Sequence, residues 1–178
     1  MENAAYKDCM RFIFLAAALA VSACSTTSQS ATPQTCPAER AVYALRGAPN
    51  ASLRLVRTPH PLNAYSDLAA RVTFEGETYW FAFVSSLGYS RNYVGPTDDP
   101  FEAARREDAG EEQQELDHSG SELVSFDSDF NVLPNVPQSG EPAPAHLLAT
   151  GIGSAIWYST PRRVLPQALW SFSGCNNA

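Results

Sequence analysis

The side chains best able to do chemistry in this 178-residue chain are three histidines, a run of carboxylates and a set of aromatic residues around one arginine. His60, His118 and His146 are far apart, and none forms the H-E-x-x-H or close-pair spacing by which one segment presents zinc ligands. Glu102, Glu107, Asp108, Glu111, Glu112, Glu115 and Asp117 crowd residues 98–117. Such carboxylates offer hard oxygen ligands that suit calcium, or attract a cationic partner. A charge run of this length is ordinarily a solvated loop, and it is read as one here.

Asp127, Asp129 and Asn131 have the D-x-D-x-N spacing that opens a calcium-binding loop. The pattern fails at its sixth position, Val132 in place of Gly, and at its twelfth, Gln138 in place of Glu. Ser154 follows Gly151-Ile152-Gly153, close to G-x-S-x-G, but the second glycine is missing and the segment reads as strand, whereas a nucleophile elbow needs a strand-to-helix turn. No metal and no cofactor is therefore expected.

Tyr79, Trp80, Phe81, Trp157, Tyr158 and Trp170 are a large aromatic supply, and an aromatic strand is ordinarily core. Where exposed, such rings stack on sugars or grip peptide edges. Tyr89, Arg91 and Tyr93 are the better binding candidates, because they follow a central strand and loops in that position carry function. The Arg91 guanidinium can pair with a carboxylate or stack on a ring.

The elements that must position these residues are mostly strands. Leu53, Leu55 and Val56 mark a short strand over 52–58, ended by Pro59 and Pro61. Leu68, Ala70, Val72 and Phe74 alternate with polar or small residues, the mark of a half-buried strand. Glu75-Gly76 is a tight turn, and residues 79–84 are apolar on both faces, as in the middle of a sheet. Residues 67–88 thus read as a long antiparallel hairpin. Asp99 followed by Pro100 predicts a helix start, with a short helix over 101–107. Residues 122–132 alternate and predict a strand with Asp127, Asp129 and Asn131 on its polar face. Residues 134–144 form a loop rich in Pro, Gly and Ser. Residues 147–159 predict a long strand, with Gly151 and Gly153 marking a bulge or a close backbone approach, and residues 168–173 predict a closing strand. The sum is about six strands with at most one or two short helices. The fold class expected is mostly β: a single small domain whose antiparallel sheet forms a barrel or a sandwich.

The start of the chain bears on location. Lys7 and Arg11 precede the apolar run 12–24, which ends in Val21-Ser22-Ala23-Cys24. A basic start, about a dozen apolar residues and a small-residue cleavage site are the parts of a secretory signal. The run is shorter than the ~20 residues a membrane span needs. Val21-Ser22-Ala23-Cys24 resembles the lipobox of bacterial lipoproteins, with Val21 where Leu is commoner. That resemblance covers only the leader; residues 1–23 would be removed, with Met10 an alternative initiator. It implies acylation of Cys24, stable anchoring by two or more chains, and, with Ser25 next, transfer to the outer membrane facing the periplasm. Residues 24–35 read as a flexible tether that spans roughly 18 Å, and residues 36–175 as the globular domain.

With Cys9 removed and Cys24 acylated, Cys36 and Cys175 remain, and two cysteines in an exported domain read as one disulfide. The net charge of −7, with 19 acidic against 12 basic side chains, argues against nucleic acid. The function expected is a non-catalytic envelope lipoprotein, a binding or structural module whose partner is an envelope protein, peptidoglycan or a small ligand. The rival expectation is a membrane-anchored periplasmic hydrolase, metal-dependent, assembled from His60, His118, His146 and the acidic loop.

Overall fold

The computed structural model describes residues 32–86, 91–110 and 120–176. Nine strands follow in chain order: β1 Ala41–Leu45, β2 Ala48–Arg57, β3 Leu68–Phe74, β4 Glu77–Ser85, β5 Asn92–Thr97, β6 Ser121–Phe126, β7 Val132–Leu133, β8 His146–Ala149 and β9 Trp170–Cys175. Helix α1, Pro100–Asp108, links β5 to β6, and α2, Thr150–Tyr158, links β8 to β9. The sheet order is β5-β4-β3-β2-β1-β9-β8-β6-β7, and β5 also pairs with β6. Eight strands therefore close into an antiparallel barrel, each beside its neighbours in chain order, with β7 as a short extra strand on β6. Of the two architectures the sequence allows, the barrel is the one formed. Among the described residues no helix is long and apolar enough to cross a membrane.

Alternation decides which side chains fill the barrel. Leu53 and Leu55 of β2, Ala70 and Val72 of β3, and Phe81 and Phe83 of β4 are register partners or near neighbours and are all buried. Tyr43 and Trp170 complete the interior from the other side. Burial pushes the Tyr43 phenol up, and its hydroxyl donates to the Pro144 carbonyl at 2.9 Å, so the one polar atom of this large side chain is satisfied. An eight-stranded barrel has an interior just wide enough for side chains to fill, and here they fill it. The β3–β4 turn is built by Glu75 (φ 50°) and Gly76 (φ 83°), the paired left-handed geometry that matches strand twist in a two-residue hairpin.

The two ends of the barrel are closed differently. At one end Cys36 and Cys175 form a disulfide with Cα atoms 5.7 Å apart, tying the start of β1 to the end of β9. At this disulfide end the 58–67 loop is pinned to the end of β4 and to residues 137–139. Asn63 Nδ2 donates to the Phe83 carbonyl at 2.7 Å, and the Ser66 hydroxyl donates to the Pro137 carbonyl at 2.6 Å. The Ser139 amide donates to Asp67 at 3.0 Å, and the Ser139 hydroxyl donates to the same carboxylate. Burial alone would push the Asp67 carboxyl up. The Ser139 bonds and the Arg57 guanidinium, 3.5 Å away, outweigh it and hold the group below the usual range. At the far end α2 seats Ile152 and Ile156, one helical turn apart and both fully buried.

Three expectations need correction. Residues 147–159 are not one strand: β8 ends at Ala149 and α2 begins at Thr150. The two glycines lower helix propensity by roughly 1 kcal/mol each, but burial of Ile152 and Ile156 in the core overrides that. Gly151 does mark a close approach, to Ser121 of β6. Residues 122–132 are not one strand either. β6 stops at Phe126, and Asp127 turns the chain by accepting the amides of Asp129 (2.8 Å) and Asn131 (2.9 Å). Bonds from the Asn131 side chain and these amides hold the Asp127 carboxyl below its usual range. Asp127 is thus a turn residue where alternation predicts an exposed strand position, because its own backbone offers nearer partners. Finally, the described residues form nine strands where about six are expected, the additional ones being β1, β7 and β5, the last carrying Gly95 and Pro96 that read as breakers. β1 and the 2-residue β7 are too short to carry a pattern, and β2 begins four residues before the expected strand.

Of the hairpin expected over 67–88, β3 and β4 form as an antiparallel pair, residues 87 and 88 lying outside the described residues; the Asp99-Pro100 helix start and the closing strand near the C-terminus also form. Asp99 Oδ1 accepts the Phe101 amide at 2.9 Å, capping α1.

Candidate functional site

An open groove of about 770 Å³ lies on the barrel wall, lined by Val56 of β2, by β3, β4 and β5, by the start of α1 and by Ala155 and Ser159 at α2. Its floor is set by strand register. Arg71 of β3, Trp80 of β4 and Thr97 of β5 line it as successive cross-strand partners on the outer wall, and Arg54 of β2 stands beside the groove as the partner of Arg71. The Arg71 guanidinium lies 5.8 Å from the Trp80 ring centroid, within cation–π range. Phe101 of α1 meets the same indole at 5.8 Å with planes tilted by 57°. The outward face of β4 is thus partly covered: Phe101 packs on Trp80, and Ala82 and its partners Ala69 and Gly95 are buried.

The charges around the groove are unevenly satisfied. Asp98 pairs with Arg106 at 3.0 Å, and Asp99 is committed to the helix cap. Arg163, only 15% exposed, donates to the Tyr79 hydroxyl at 3.2 Å and lies 3.3 Å from Glu75 and 3.4 Å from Glu77, sealing one edge. Arg54 and Arg71 have no carboxylate within 4.0 Å among the described residues. Like charges directly opposite across two strands repel, so this wall carries uncompensated positive charge on an acidic protein. The arrangement can stack a flat or ring-shaped group on Trp80 and hold an anion on the guanidinia. Thr78 and Thr97 line the same space and offer hydroxyls.

The structure disperses the residues singled out from sequence. Arg91 and Tyr93 lie at the disulfide end, away from the groove. The Arg91 amide donates to Ser86 Oγ at 3.3 Å, and Tyr93 is half-buried opposite Val84 and Glu122. Tyr89, His118, the acidic residues 111–117 and Cys24 lie outside the described residues. His60 Nε2 is 3.8 Å from Asp108 of α1. His146 stacks on Phe130, centroids 4.6 Å apart and planes 5° from parallel, and its Nδ1 is 3.1 Å from Ser171 Oγ. Ser171 is its register partner, so this Ser–His contact is a cross-strand pair, with one imidazole face covered and no carboxylate paired with the ring among the described residues. Ser154 is exposed in the middle of α2, away from the strand-to-helix turn an elbow requires. Among the described residues no three His, Cys, Asp or Glu side chains are placed to share a metal ion.

Sequence reading placed Trp80 among core candidates and passed over Arg54, Arg71 and Phe101. The only signal for Arg71 is its polar position in an alternating strand. Its meeting with Trp80 depends on the β3–β4 register, which no local pattern states. No family model, no curated protein and no solved structure matches the chain.

Proposed function

We propose that the chain is a non-catalytic lipoprotein of the cell envelope, anchored through Cys24 at the outer membrane and facing the periplasm, with the Arg71–Trp80 groove as its binding surface. The observation that carries this reading is the groove's position. It opens sideways on the outer wall around Arg71 and Trp80 and runs toward Thr97–Asp99 at the end of β5, while the tether enters at the Cys36–Cys175 end. A domain held at the Cys36–Cys175 end leaves this lateral wall open to the periplasm instead of pressed on the bilayer. Of the expected partners, peptidoglycan matches the groove best in chemistry: sugar rings stack on an indole, and peptide and sugar carboxylates suit the guanidinia of Arg54 and Arg71.

The experiment is cosedimentation of the acylated protein with purified peptidoglycan sacculi. The wild-type chain is expected to pellet with the sacculi, and Trp80→Ala or Arg54→Ala/Arg71→Ala is expected to remain in solution while keeping its fold. Equal pelleting by all three proteins would remove the groove as the binding surface. Turnover of a defined substrate, with no partner recovered from crosslinked cells, would replace the binding module with an enzyme.

A further inference from the structure

The β6–β7 hairpin tip holds a bulky aromatic where the backbone favours glycine. Phe130 has φ 62°, a genuine outlier for an aromatic residue. The turn itself is well made: the Phe130 amide donates to the Asp127 carbonyl at 3.2 Å, and the Asp127 amide donates to the Asn131 carbonyl at 3.0 Å. Gly or Asn would occupy position 130 with less strain. The strained side chain is also not buried: Phe130 is 59% exposed, and Val132 beside it is 64% exposed. A phenyl ring kept on the surface at a backbone cost points to a use outside the domain.

Its position says what that use is. The tip lies at the disulfide end, and the Gln34 side chain, two residues from the first described residue, donates to Ser128 Oγ of the hairpin at 2.9 Å. The tether therefore leaves the domain beside the hairpin. Eight peptide steps separate Thr32 from Cys24 (32 − 24 = 8), at most about 28 Å when extended and roughly 16 Å as a coil. An acyl group on Cys24 would bring this end of the barrel within that distance of the bilayer. We infer that Phe130 and Val132 are a membrane-contact wedge: the hairpin tip dips into the lipid interface and stands the barrel on its disulfide end. Phe126 and His146 brace the ring from below, with Phe126 and Phe130 centroids 6.3 Å apart. The hairpin has no Lys or Arg and exposes Asp129, so the surface it fits is a zwitterionic lipid interface rather than an anionic one. This inference rests on the Cys24 anchor of the preceding reading.

The test uses the acylated full chain in phosphatidylcholine vesicles, with an environment-sensitive dye on Asp129→Cys at the tip or on Tyr158→Cys at the far end. Dye at 129 is expected to shift to the blue and to be quenched several-fold by lipids brominated along the acyl chain, while dye at 158 stays unquenched. Adding Phe130→Gly, which suits the left-handed backbone, is expected to keep the circular dichroism of the fold and to remove most of the quenching at 129. No quenching at 129, equal quenching at both positions, or quenching that survives Phe130→Gly would overturn the wedge. Intact mass of the same preparation separates the two readings. Acylated Cys24 with an unquenched tip removes the wedge alone, whereas an unmodified thiol at Cys24 removes both.

Discussion

Gly151 of α2 rests so close to Ser121, the first residue of β6, that a Cβ at position 151 would stand 2.5 Å from the Ser121 Cβ. The Ser121 hydroxyl is buried there with no hydrogen-bond partner among the described residues. The helix seals the barrel only by coming this close, and closeness is what lets Ile152 and Ile156 reach the core.

Gly151→Ala is therefore expected to destabilise the domain by about 1–3 kcal/mol, the usual cost of overpacking, read as a lower urea midpoint. Adding Ser121→Gly should restore part of the loss. Ser121→Ala alone should be neutral or mildly stabilising, since it removes a buried hydroxyl that bonds to nothing.

The disulfide closes nearly the whole domain, its cysteines lying 139 residues apart. Cross-linking so long a loop removes unfolded-state entropy worth up to about 5 kcal/mol in the chain-entropy model. Cys36→Ser/Cys175→Ser is expected to lower stability by roughly 3–5 kcal/mol, measured by denaturant unfolding under non-reducing conditions. A reductant that lowers the wild-type midpoint should leave this double variant unmoved.

Asp67 makes stability depend on acid. Its folded-state pKa lies below its unfolded value, so its contribution is fully present above the ordinary aspartate range near pH 4 and is lost as pH falls through the lower folded value. Asp67→Asn is expected to be less stable than wild type at pH 7 and to lose part of the wild type's decline on acidification below pH ~4. Thermal melts across pH compare the two; parallel curves would show that the Ser139–Arg57 cradle is not responsible.

Asp99 anchors the wall that shapes the groove. Asp99→Ala removes the side-chain bond to the Phe101 amide and is expected to cost about 0.5–2 kcal/mol. Because Phe101 leans on Trp80, fraying of the first turn should also weaken sacculus binding and speed proteolysis within α1. Binding equal to wild type would show that α1 is not part of the surface.

Much of the barrel could be read along the chain because its interactions are local in sequence. The β3–β4 hairpin is announced by alternation around Glu75-Gly76, and α1 by Asp99-Pro100. The errors lie where distant contacts outweigh local preference. Thr150–Tyr158 carries two glycines and reads as strand, yet it coils because the open end of the barrel needs Ile152 and Ile156 on one face. Asp127 alternates like a strand residue but is drawn into its own turn. The candidate site was less legible still: Tyr89, Arg91 and Tyr93 drew notice for their types, while Arg71 and Trp80 meet only through cross-strand register.

Composition and period settled that the domain is built of antiparallel strands with little helix, because alternating burial is a nearest-neighbour property. Closure into a barrel, the groove at Arg71 and Trp80 and the strained Phe130 near the Gln34–Ser128 contact arise only in three dimensions. They depend on β5 meeting β6 and β9 meeting β1, contacts between segments whose separation along the chain leaves no local signature.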